Sequence, residues 1–184
     1  MENLLEVKGL GIELKTKYSN KSLVDDVSFN IGKKQSYGIV GESGCGKSTL
    51  ANLLISRKPP LHYISGEVKL LGKDIIQMSK AEFQKMRLRN ISLIPQYALD
   101  AFSPTKKIGA FLGDLVQQHG IKPDQKFFAK AKERLKLVNL DPAVLDHYAM
   151  ELSGGMKQRV ILVISTILDP EFLIADEITS ALDV

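Results

Sequence analysis

The sequence predicts an α/β fold built on a phosphate-binding loop, with an antiparallel β-subdomain ahead of the loop and an α-helical subdomain inserted behind it. Three observations carry this expectation. Gly41-Glu42-Ser43-Gly44-Cys45-Gly46-Lys47-Ser48 fits the G-x-x-x-x-G-K-[ST] pattern and follows the apolar run Tyr37, Ile39, Val40, which reads as a buried strand. Leu4 to Phe29 alternates in pieces, with Leu5 and Val7, Ile12 and Leu14, then Val27, Phe29 and Ile31 on one face, as antiparallel strands do. From Tyr97 to Glu151 the apolar period changes to that of helices.

The loop carries its own chemistry. Glycines at 41, 44 and 46 open backbone conformations closed to other residues, so successive N–H groups can face phosphate oxygens at the positive end of the following helix. Lys47 suits the β- and γ-phosphates, and the Ser48 hydroxyl suits Mg²⁺. The plain alternative is a glycine turn with an incidental Lys-Ser, and it has to account for the flanking strand and three further motifs too.

Composition narrows the classes. The 184 residues are 44% hydrophobic and 25% charged, which suits one domain or one domain plus a small lobe. Twenty-five basic and 21 acidic residues are dispersed along the chain, giving +4, and a weak dispersed excess reads as solvated surface with no nucleic-acid partner. No apolar run approaches the roughly 20 residues of a membrane helix, and MENLLEVKGL lacks a basic n-region ahead of a long apolar core, so neither export nor membrane spanning is expected. A single cysteine forms no internal disulfide, which suits a reducing cytosol.

In chain order, the N-terminal strands are broken by the polar, turn-rich KTKYSNKS. The helix opened by Lys47 runs through Leu50, Leu53 and Leu54 and stops before Pro59-Pro60. Gly66 to Gly72 reads as a strand and tight turn, and Ser79-Lys80-Ala81-Glu82 as a capping box opening a helix to about Arg89. Ile91 to Gln96 reads as a second buried strand ending in a glutamine. Ile108, Phe111, Leu112, Leu115 and Val116 share one helical face, and Phe128, Ala131, Leu135 and Val138 another. Pro123-Asp124 is a helix start and Asp141-Pro142 a break. These stripes read as packing. A further helix runs from Leu152 through Val160, Ile161, Val163, Ile164, Ile167 and Leu168, ends at Asp169-Pro170, and leads into a third buried strand, Phe172 to Ala175.

Two further constellations bear on function. Asp176-Glu177 places two carboxylates at the carboxyl end of a strand, where open α/β sheets hold ligands. Asp176 suits the Mg²⁺ side of a nucleotide site, and Glu177 can accept a proton from an attacking water. Acidic pairs also cap helices, but that reading weakens beside a phosphate loop about 130 residues earlier. Leu152-Ser153-Gly154-Gly155-Met156-Lys157-Gln158-Arg159 is an N-cap with a flexible entry, and equally a second anion site at a helix start. A dimer sandwiching nucleotide between the loop of one subunit and the Ser-Gly-Gly of the other accounts for both sites.

GESGCGKST, Gln96, LSGGMKQR, LIADE and SALD, in this order and spacing, resemble the ATP-binding subunit of an ABC transporter over the whole chain. LSGG-x-x-QR separates such proteins from other phosphate-loop NTPases. ISGEVKLLGKDI, YALDAFSPTKKIGAF and ELSGGMKQRV look most like the oligopeptide, dipeptide and nickel importers. The resemblance implies an α/β P-loop NTPase (RecA-like) core, residues 1–96 and 152–184, with the helical subdomain at 97–151. It implies ATP and Mg²⁺ as cofactors, and a Walker A loop of Gly41, Glu42, Ser43, Gly44, Cys45, Gly46, Lys47, Ser48 and Thr49. Gln96 would sense Mg²⁺ and couple to the membrane subunit, and Ser153, Gly154 and Gly155 would contact the γ-phosphate in trans. Asp176 would face the metal with Ser48, Glu177 would be the general base, Asp183 the D-loop aspartate, and Tyr18 the aromatic stacked on adenine. The implied partners are a second ATP-binding subunit, transmembrane permease subunits and, indirectly, a solute-binding protein. The implied place is the cytoplasmic face of the cell membrane.

Two departures stand out. Ile178 replaces the usual proline after the glutamate, and the chain ends at Val184, before the strand and switch histidine expected after the D-loop. His62, His119 and His147 all precede that point, so a truncated chain is expected. Two other readings stay open: a soluble ABC-type ATPase acting on ribosomes or DNA, and a nucleotide-binding fragment with little turnover.

Overall fold

Alternating apolar residues at the N terminus form the expected antiparallel sheet. In a computed structural model, which describes residues 3–15, 20–56, 61–96 and 102–177, strands β1 (Asn3–Lys15), β2 (Asn20–Gly32), β3 (Leu61–Leu70) and β4 (Lys73–Asp74) lie in the order β2-β1-β3-β4, every pair antiparallel. Leu5, Val7, Leu10, Ile12, Val68 and Leu70 fill its buried face. β3 begins at Leu61, earlier than the Gly66 start the sequence suggests. The β1–β3 register shifts between Lys8 and Gly11, where two left-handed glycines meet, Gly9 at φ +58 and Gly66 at φ +99. A Cβ on Gly66 would lie 2.4 Å from the Lys8 carbonyl oxygen and 2.5 Å from that of Gly9, so only glycine lets the two strands approach here.

Helix α1 (Lys47–Ser56) buries Leu50, Leu53, Leu54 and Ile55. The strand expected before it is absent. Tyr37, Ile39 and Val40 lie in no strand and are exposed, Val40 to 96%. An apolar run becomes a buried strand only where neighbours cover it, and among the described residues none pairs with this one. Tyr37 in this run stacks on Phe29, with ring centroids 5.3 Å apart.

The chain divides into two compact units, Met1–Phe83 and Gln84–Val184. Helix α2 (Lys80–Met86) crosses that boundary and opens on the expected capping box: the Glu82 carboxylate accepts from Ser79 N at 3.0 Å, and Glu82 N donates to Ser79 Oγ at 3.2 Å. It ends at Met86, short of Arg89, because Leu88 takes a left-handed φ of +63 and turns its N–H to the Ile91 carbonyl.

In the second unit, β5 (Ile91–Ile94) and β6 (Phe172–Ala175) pair in parallel, Ile91 opposite Phe172 and Ile94 opposite Ala175. β5 is buried, whereas β6 is half-exposed, with Leu173 at 40%, because among the described residues its outer edge carries no further strand. Helices α3 (Ile108–Gln118), α4 (Gln125–Leu137) and α5 (Gly154–Thr166) close one core around Ile108, Leu112, Val116, Ala131, Leu135 and Ile164. Phe127 is the buried aromatic of α4 and Phe128 the partly buried one. Asp124 caps the N-terminus of α4, and Asp141 that of a 3-10 turn at Pro142–Asp146. Asp169, past the end of α5, pairs with Lys130 at 2.6 Å and with Arg134, and these cations hold its carboxyl below the usual range.

His119 ends α3 with Nδ1 3.1 Å from the Gln84 carbonyl, while Arg89 donates to the His119 carbonyl at 3.1 Å. Burial lowers the His119 pKa, with Arg87 and Arg89 adding to the effect against the hydrogen bond to Gln84. The unfolded chain therefore takes the proton first. The stability is present above the unfolded value of about 6.5 and is lost as pH falls through the lower folded value. Two outcomes are expected in thermal unfolding. Gly66→Ala lowers stability by about 2 kcal/mol or more. Lowering pH from about 7.5 to about 5 lowers the melting temperature less in His119→Gln than in the parent.

Candidate functional site

The glycine loop is held by the lysine at its end. Lys47 Nζ donates to the carbonyls of Gly41 and Glu42, both at 2.8 Å, and lies 3.9 Å from Cys45 Sγ. Cys45 N closes a turn onto the Glu42 carbonyl at 3.3 Å, and Leu50 N onto Gly46 at 2.9 Å opens α1. Gly44 (φ +81) and Gly46 (φ +102) supply the left-handed steps. A Cβ on Gly46 would lie 2.7 Å from the Leu23 carbonyl oxygen, whereas one on Gly44 would meet nothing within 4 Å. The loop is thus seated against β2 on one side and open on the other. Lys47 and Ser48 stand at the start of α1, where the first-turn N–H groups and the helix dipole favour an anion.

Beside the loop is a pocket of about 400 Å³, lined among others by Leu23, Val24, Asp25, Phe29, Tyr37 and Lys47. The sequence alone does not point to these β2 residues. Their role comes from the sheet bringing β2 against the loop, and no local pattern marks it. Tyr18 and Asp183 lie outside the described residues.

The second unit brings together another group. The β5–β6 register sets the carboxyl ends of both strands side by side, and Asp176 N extends the ladder to the Ile94 carbonyl at 3.0 Å. Gln96 Nε2 donates to the Glu177 carboxylate, and Glu177 sits at a left-handed φ of +49. Ser153 caps α5, its Oγ accepting from Met156 N at 3.3 Å, so that Gly154 and Gly155 form the first turn. A Cβ on Gly154 would meet nothing within 4 Å.

The open glycine cradle, a lysine satisfied by carbonyl oxygens and the start of α1 fit a polyphosphate. The Ser48 hydroxyl, Gln96 amide oxygen and Asp176 carboxylate are all hard oxygen donors, the type Mg²⁺ takes alongside phosphate oxygens. The geometry also ranks the glycines. Gly46→Ala, with a backbone clash and a forbidden φ, is expected to cost about 2–3 kcal/mol in denaturant unfolding, and Gly44→Ala, with strain alone, about 1 kcal/mol.

Residues 24–180 match the family model described as ABC transporter. The dipeptide transport ATP-binding protein DppD of Caldanaerobacter subterraneus is 42% identical over 163 residues, spanning 87% of this chain and 50% of that protein. The oligopeptide transport ATP-binding protein OppD of Bacillus subtilis is 35% identical over 185 residues, spanning 98% and 52%. This chain thus spans about half the length of the curated relatives it matches. A solved dimeric bacterial ABC transporter cassette superposes with a TM-score of 0.84 at 24% identity, covering 97% of this chain and 76% of that one, which shows the α/β phosphate-loop fold. The same cassette in a post-hydrolysis state, bound to ADP and Pi, gives 0.83 at 24% identity, with the same coverage.

Proposed function

This chain belongs to the ABC transporter family, and on that premise we propose that it is an ATP-binding and ATP-hydrolysing subunit energising an importer of peptides. The observation that carries the reading is the Gly41–Ser48 loop with the Lys47 ammonium already drawn over it by two carbonyls. In that position Lys47 exchanges carbonyl for β- and γ-phosphate oxygens with little movement, while the loop N–H groups and the α1 start take the remaining oxygens. The 400 Å³ pocket along β2 then receives the nucleoside side.

Ser48, Gln96 and Asp176 are the residues that would hold Mg²⁺, which would neutralise phosphate charge. Glu177 polarises the attacking water, and its hydrogen bond to Gln96 ties the base to a residue on the metal side. Catalysis here is positioning and electrostatics, with little covalent work for the protein. The open first turn at Ser153–Gly155 serves a second copy's γ-phosphate across a nucleotide-sandwich dimer, a reading supported by the dimeric state of the solved cassette. Permease subunits hold the dimer at the cytoplasmic face of the membrane and reach a solute-binding protein indirectly. Among the described residues no helix is long and apolar enough to cross a membrane. The names of the relatives favour peptides over nickel.

The two roles separate by calorimetry and phosphate release. Lys47→Ala should bind ATP at least tenfold more weakly, about 1.4 kcal/mol. Glu177→Gln should keep the parent's affinity and stop hydrolysing. Equal ATP affinity in the parent and Lys47→Ala would overturn the assignment.

A further inference from the structure

Arg159 lies one turn into α5 and reaches both backwards and across. Its Nε donates to the Gly155 carbonyl at 3.3 Å, and its Nη1 donates to the Asn139 carbonyl at 3.1 Å and the Val138 carbonyl at 3.4 Å. Those last two carbonyls close α4. Val138 is its C-cap and Asn139 takes a left-handed φ of +54, their N–H groups bonding back to Leu135 and Lys136. A helix C-terminus presents unpaired carbonyls and partial negative charge, which a guanidinium answers in a fixed, planar geometry that a lysine lacks.

The helix start that Arg159 grips is intrinsically loose. Two successive glycines cost about 1 kcal/mol each relative to alanine in a helix, and they bring no side chains to pack. The open space beside Gly154 leaves that side of the turn approachable. The Ser153 cap and the Arg159 guanidinium both bond this turn from side chains.

We propose that Arg159 is the positioning residue of this helix start: it locks the Ser153–Gly155 turn against the end of α4, so that its hydroxyl and N–H groups keep one orientation toward a γ-phosphate carried by a second copy. The proposal rests on the nucleotide-sandwich reading above. Arg159 touches no phosphate itself. Its loss loosens the trans contact and leaves nucleotide binding at the loop of the same chain as it was.

The test uses the full-length protein carrying Glu177→Gln, so that ATP persists, and follows MgATP-dependent dimerisation by light scattering against protein concentration. Adding Arg159→Gln is expected to raise the dimer dissociation constant about tenfold, with Arg159→Lys falling in between. Calorimetry should give an unchanged ATP affinity and an unchanged number of sites per chain, which a general folding defect would lower. Amide exchange at Met156 to Gln158 should quicken in Arg159→Gln while the Gly41–Thr49 loop is unaffected. If the parent dimerises and Arg159→Gln dimerises equally well, the positioning role is overturned and the sandwich reading stands. If Arg159→Gln loses nucleotide sites per chain, Arg159 is a folding residue and the proposal fails. If the parent itself gives no MgATP-dependent dimer, the sandwich reading falls and takes the proposal with it.

Discussion

Lys47 folds back over the loop that precedes it, and the shape of the proposed phosphate site is set by where its ammonium ends. With Nζ 2.8 Å from the carbonyls of Gly41 and Glu42, the loop is drawn into a ring around one positive charge. A ring that tight needs backbone steps unavailable to residues with side chains, which Gly44 and Gly46 provide. Gly46 also sets the loop's place, because its missing Cβ lets the chain lie against the Leu23 carbonyl of β2. The antiparallel sheet is therefore the bed on which the loop rests, and its pocket is a consequence of that seating.

The second unit solves a different problem by register. Parallel pairing of β5 with β6 fixes Ile94 opposite Ala175, and the residues just beyond, Gln96 and Glu177, meet as a result. A slip of one residue in that short ladder would turn the side chains to opposite faces and separate them. Burial of β5 against α5, with Ser165 Oγ bonded to the Leu93 carbonyl at 3.0 Å, opposes such a slip.

The legible part of the sequence was local. The capping box at Ser79, the caps at Asp124 and Ser153 and the glycine loop depend on residues a few positions apart, so their spacing announces them. Tyr37 to Val40 misled because apolar content says that a segment can be buried, and only neighbours make it so. The β2 lining of the pocket and the reach of Arg159 to Asn139 were invisible for the same reason: each joins residues about 20 or more positions apart through packing that no spacing rule encodes. Phe127 and Phe128 show the limit within one helix, where a one-residue phase error exchanges the buried ring for the partly buried one.

The central claim is that the Gly41–Thr49 loop takes the phosphates of ATP. Hydrogen exchange of the full-length protein with and without MgATP tests it most directly, because loop N–H groups that bond phosphate oxygens are withdrawn from water. Slowed exchange concentrated at residues 41–50, graded with ATP concentration, is the predicted result. Exchange in that segment unchanged by saturating MgATP would contradict it.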